Sequence, residues 1–87
     1  MNNVSRIPEE TGSCSIISNV EVDIDSNGLE CVIKPDGADI FVKTRPCDNK
    51  FFGGYLVKDG QEFTFCGKVY FYSNATCEVY YMKYRTL

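Results

Sequence analysis

Residues 20–34 read VEVDIDSNGLECVIK, and this stretch decides the fold class. Val20, Val22 and Ile24 alternate with Glu21, Asp23 and Asp25, so at a two-residue period the aliphatic side chains share one face and the carboxylates the other. That is the pattern of a half-exposed β-strand. Ser26-Asn27-Gly28 follows it, and Asn-Gly is the pair best able to take the left-handed dihedrals of a two-residue hairpin turn. Leu29, Cys31 and Ile33 then alternate with Glu30 and Lys34, which predicts a returning strand.

The same punctuation continues outward. Pro35-Asp36-Gly37 reads as a turn, because proline presets its first dihedral and glycine accepts a positive φ. A third strand is expected over Asp39–Thr44, with Ile40 and Val42 on one face. Arg45–Lys50 is a polar connection around Pro46, and Phe51–Val57 resumes as a strand that Gly53-Gly54 interrupts with a bulge or bend. Lys58-Asp59-Gly60-Gln61 predicts a hairpin into Glu62–Phe65, and Ser73-Asn74-Ala75-Thr76 predicts a last one between Val69–Tyr72 and Cys77–Tyr84. Residues 1–14 lack either periodicity and read as a flexible arm, leaving 15–87 as a single β domain.

About seven short strands and no amphipathic helix result. The expected fold is all-β: a small antiparallel meander forming a compact barrel or a two-layer sandwich, since closure or stacking hides both edges. Eighty-seven residues suffice for one small core, and 44% apolar against 24% charged residues is the composition of a folded domain.

Histidine is absent, which removes Ser-His-Asp, Cys-His and His-ligated zinc mechanisms. A cysteine activated by Arg45 and Lys50, namely Cys47, and paired acids flanking a cleft are the remaining routes to catalysis; neither stands out from surface chemistry, so no enzyme and no cofactor are expected. Cys14, Cys31, Cys47, Cys66 and Cys77 stand too far apart for the close thiolate pairs of a zinc knuckle. Two disulfides with one odd thiol, or five buried thiols, both fit that count. No 18-residue apolar run occurs, so no membrane partner is expected, and residues 1–15 carry no signal-type apolar run. Localisation stays open between cytoplasm and secretion after leader removal. Asn3-Val4-Ser5 and Asn74-Ala75-Thr76 match the N-glycosylation acceptor pattern.

Twelve acids and nine bases give a net charge of −3, with eight acids and two bases in residues 1–39 against four and seven in 40–87. Wholesale coating of nucleic acid is disfavoured by that sign. Asp23-x-Asp25-x-Asn27-Gly28 matches the first half of a calcium loop, and Glu30 adds a carboxylate; the bidentate glutamate required at the twelfth position is replaced by Lys34. Aromatic crowding is the second feature. In Tyr70-Phe71-Tyr72 and Tyr80-Tyr81, strand alternation sends neighbouring rings to opposite faces, and rigid tyrosines gather at protein interfaces.

The function read from the sequence is a non-enzymatic binding protein that engages another protein through a sheet face or hairpin loops, as an inhibitor or host-directed factor. Its expected contact residues are Tyr70, Tyr72, Tyr80 and Tyr84 with Glu21, Asp23 and Asp25. The alternatives are a single-stranded nucleic-acid binder using Lys68, Lys83 and Arg85 on phosphates, and a weak calcium module at Asp23, Asp25, Asn27 and Glu30.

Overall fold

The computed structural model describes residues 6–44 and 54–86. The Arg45–Lys50 connection with Cys47, the strand start at Phe51–Gly53 and the acceptor pattern at Asn3 lie outside the described residues. Six strands form: β1 (Arg6–Ile16), β2 (Val22–Asp36), β3 (Ile40–Lys43), β4 (Tyr55–Val57), β5 (Phe63–Tyr72) and β6 (Cys77–Thr86). They make one antiparallel sheet in the order β1-β6-β2-β5-β3-β4. The domain is all-β, and no helix occurs among the described residues.

The order is not that of a meander. Only β3 and β4 are both consecutive in sequence and paired; β6 lies between β1 and β2, and β5 between β2 and β3. The expected hairpins at Asn27-Gly28, Asp59-Gly60 and Asn74-Ala75 therefore do not form. Turn-forming residues satisfy a dihedral requirement, and that requirement is met equally well by a bulge or by a loop between layers.

Asn27-Gly28 illustrates the first case. β2 runs unbroken through it, with Asp25 opposite Lys68 and Glu30 opposite Cys66, so residues 26–29 bulge against Gly67 alone. Asn27 (φ 58°) and Gly28 (φ 82°) supply the left-handed dihedrals, and Gly67 (φ 105°) supplies one on the facing strand. Ser26, fully buried, accepts a hydrogen bond on Oγ from the Gly67 amide at 2.8 Å.

Chain length shows that this bulge is a corner. β1 and β2 run the same way, since both are antiparallel to β6, and Ile16 and Asp36 lie at the same end of β6, beside Cys77 and Glu78. The connection 17–21 spans about 20 Å at most, whereas β2 if straight would carry Val22 roughly 46 Å from Asp36. β2 must therefore fold back, and β5 with it. One layer comprises β1, β6, residues 30–36 and residues 63–66; the other comprises residues 22–25, residues 68–72, β3 and β4. Tyr55 of β4 confirms the stacking, its ring lying 5.2 Å from that of Phe63 in the other layer. The sheet is folded over on itself, and among the described residues β1 and β4 are not paired with each other.

The core fills the space between the layers with one side-chain row from every strand. Ile16, Cys31, Ile33, Ile40, Val57, Phe71 and Val79 are all fully buried. The loops crossing between layers are stitched in series at one end. The Asn19 amide donates to Ser73 O (2.8 Å), Ser73 Oγ to Asp39 O (2.7 Å), the Asp59 amide to Asp39 Oδ1 (2.8 Å) and the Gly37 amide to Asp59 Oδ1 (3.0 Å).

Two further expectations change. Residues 6–14, read as part of a flexible arm, form most of β1, held to β6 by backbone pairing and by Glu9–Arg85 (3.1 Å) and Glu10–Lys83 (3.5 Å) ion pairs. An edge strand of this kind needs no apolar alternation, because the ladder itself supplies its contacts. Disulfides are absent among the described cysteines: Cys14, Cys31, Cys66 and Cys77 are free thiols. Burial raises the Cys31 thiol from 9.0 to about 11, against the opposing pull of Lys83, and burial likewise raises Cys14 and Cys77.

The corner predicts a specific sensitivity. Gly67→Ala places a Cβ at a left-handed φ and is expected to cost about 1–3 kcal/mol, and Ser26→Ala, which strands a partly buried amide, about 1–2 kcal/mol, by urea unfolding. The thiols predict an alkaline limit. The folded state holds the Cys31 proton to higher pH than the unfolded chain, so stability is full below about pH 9 and falls as pH rises toward 11. Urea midpoints measured across that range test this, and Cys31→Ala is expected to flatten the decline.

Candidate functional site

Strand alternation leaves each layer an outer face. On the β2–β5–β3 layer, Asp23, Tyr70 and Lys43 stand in one register row and Asp25 faces Lys68. On the β6–β2 layer, Val32, Lys34 and Asp36 stand opposite Met82, Tyr80 and Glu78. The expected tyrosine surface is thus divided between two faces: Tyr70 and Tyr72 lie on one, Tyr80 and Tyr84 on the other.

Burial separates the four further. Tyr72 is fully buried, stacked on Phe41 at 5.3 Å with Lys43 Nζ 5.0 Å from its ring centre. Tyr84 is 1% exposed. Neither ring is available as a surface contact, which corrects their expected role. Tyr70 is half-buried beneath Lys68 Nζ at 5.4 Å. Tyr80 alone of the four is well exposed, at 49%.

Tyr80 stands between two depressions. One, of about 230 Å³, is lined by Val32, Lys34, Glu62, Tyr80 and Met82; the other, of about 400 Å³, by Lys34, Pro35, Asp36, Gly60 and Tyr80. Val32 and Met82 are half-buried and give the first an apolar floor, while Lys34, Asp36 and Glu62 are exposed at the rim. An exposed aromatic ring with an apolar floor and polar rim is the anatomy of a contact patch.

The acidic residues do not join this patch. Asp23 and Asp25 are exposed at the start of β2, on the other layer, and Glu21 is half-buried just before it, its Oε2 having no hydrogen-bond partner among the described residues. Asp23, Asp25 and Asn27 do line a third depression, of about 280 Å³, with Ser13, Cys14, Tyr81 and Lys83. Lys83 brings a cationic head to the same space, Glu30 is not part of it, and Asp25 Oδ1 is occupied by the Asn27 amide at 2.8 Å. No three carboxylate or thiolate groups converge as a metal site among the described residues. Within the calcium-like spacing, the Asp25 carboxylate caps the bulge through the Asn27 amide.

Comparison with protein-family models, curated proteins and solved structures finds no match for the chain. The sites are therefore read from their geometry.

Sequence reasoning included Tyr80, and Asp36 as one of the acids able to face a basic partner, but missed Val32, Lys34, Glu62 and Met82. The two-residue spacing of Val32, Lys34 and Asp36 places them on one face, yet nothing local to them says that β6 is the neighbour. The assignment of Asp25 to the bulge carries its own test. Asp25→Ala is expected to lower stability by about 0.5–1.5 kcal/mol through loss of the Asn27 contact, and by the same amount in calcium as in a chelator, measured by thermal unfolding.

Proposed function

We propose that the protein is a non-enzymatic binding module that engages another protein through the outer face of β2 and β6, with Tyr80 as its anchor. The observation carrying this reading is the half-exposed Tyr80 ring set between two depressions with Val32 and Met82 beneath. A tyrosine gives large contact area for little lost freedom, and desolvating it against an apolar floor is how interface anchors acquire their energy. Where the bound protein is an enzyme, the same contact would make the chain an inhibitor.

The geometry favours this reading over single-strand binding. Of the three cations that would meet phosphates, Lys83 is 8% exposed and paired with Glu10, Arg85 pairs with Glu9 at 3.1 Å, and Lys68 lies over Tyr70 on the opposite layer. Asp36 and Glu62 at the rim of the Tyr80 patch would repel a phosphate backbone.

Tyr80→Ala tests the anchor. The immobilised variant, with its fold verified by circular dichroism, is expected to recover at least tenfold less of the protein partner from source extract than the native chain, a loss of about 1.4 kcal/mol or more. Ile17→Ser, at a residue 64% exposed in the loop before β2, is expected to recover the native amount. Equal recovery by native and Tyr80→Ala chains would remove Tyr80 from the interface.

A further inference from the structure

Three of the other tyrosine rings, those of Tyr70, Tyr72 and Tyr81, are covered by the chain's own cations. Lys43 lies 5.0 Å from the Tyr72 ring centre, Lys68 5.4 Å from that of Tyr70 and Lys83 5.8 Å from that of Tyr81. Among the described residues no lysine or arginine lies over Tyr80, although its ring is the most exposed of these. The negative face of an aromatic ring attracts a cation within about 6 Å, more strongly once water is excluded.

The surroundings of Tyr80 carry the same sign. Each flanking depression contributes one exposed carboxylate, Glu62 on one side and Asp36 on the other, against the single ammonium of Lys34 between them. Glu78, two positions before Tyr80 on β6 and level with Asp36 on β2, adds another carboxylate, one that accepts a hydrogen bond from Ser15 Oγ. The spacing is equally specific. Val32, Lys34 and Asp36 repeat along β2 at about 6.6–6.8 Å, the interval between same-side side chains of an extended peptide.

We propose that the Tyr80 groove receives an extended polypeptide segment in which arginine or lysine alternates with aliphatic residues. The cationic side chain lies over the Tyr80 ring between Asp36 and Glu62, and the aliphatic one rests on Val32 and Met82. This rests on the reading of the β2–β6 face as a protein-binding surface and names the chemistry of what it binds. Within it, Lys34 acts against the ligand, because it places a like charge between the two depressions.

The test uses two acetylated, amidated pentapeptides, Leu-Arg-Leu-Arg-Leu and Leu-Glu-Leu-Glu-Leu, titrated calorimetrically against the full chain at low salt. The arginine peptide is expected to bind and the glutamate peptide not. Tyr80→Leu, which keeps an apolar side chain but removes the ring, and the double variant Asp36→Asn, Glu62→Gln are each expected to weaken binding by about tenfold. Lys34→Gln is expected to strengthen it by about threefold, an effect that loss of folding cannot imitate.

Equal or tighter binding of the glutamate peptide would overturn the proposal. So would arginine-peptide binding that Tyr80→Leu leaves unchanged, or weakening by Lys34→Gln. Absence of arginine-peptide binding at millimolar concentration, together with partner recovery that still depends on Tyr80, would reject the cationic chemistry and leave the protein-binding face standing. Absence of both would reject the two together.

Discussion

The bend shared by β2 and β5 at Ser26–Leu29 and Gly67 is the constraint on which the rest of the molecule depends. A six-stranded sheet with no helix among the described residues lays its apolar face against itself. Folding two central strands through a corner achieves this, because each strand then contributes to both layers and the hydrogen-bond ladder continues around the turn. The left-handed Asn27, Gly28 and Gly67 make the corner sterically available, and the buried Ser26 hydroxyl replaces the ladder partner that the Gly67 amide loses.

Once the sheet has turned, the remaining architecture follows from short connections. Loops of three to five residues cannot run back along a straight strand, but they can step from one layer to the other at an end where both layers terminate. Asp39, Asp59 and Ser73 then occupy the crossing points, where their side chains and backbone satisfy one loop from the next. The β1 and β6 ends of the chain become neighbours, and Glu9 and Glu10 find Arg85 and Lys83 across them.

The proposed binding surface is a consequence of that same interleaving. Val32, Lys34 and Asp36 come from the second half of β2, Tyr80 and Met82 from β6, and Gly60 and Glu62 from the crossing before β5. Because β6 enters between β1 and β2, Tyr80 is placed beside Lys34, 46 positions away in the chain. The other crowded aromatics have structural roles: Tyr55, Phe63 and Phe65 bridge the two layers at one side, and Phe41 with Tyr72 covers the outside of β3 and β5.

The alternation in VEVDID and LECVIK determined by itself that strands run through these segments, that Ile24, Cys31 and Ile33 face inward, and that a left-handed pair stands between them, although Val20, expected on the same face, lies before β2 and is 48% exposed. The absence of histidine alone excluded Ser-His-Asp, Cys-His and His-ligated zinc arrangements among these residues. Local sequence could not decide whether Asn27-Gly28 reverses the chain or kinks it, because both conformations need the same dihedrals. Nor could it decide which tyrosines stay wet: Tyr70, Tyr72, Tyr80 and Tyr84 occupy equivalent outward positions in their strands, and what lies across from each is set by strand order. Tertiary structure decided these points, since strand order depends on which long-range pairing buries the shared core, an energy that belongs to all six strands together and to no single segment.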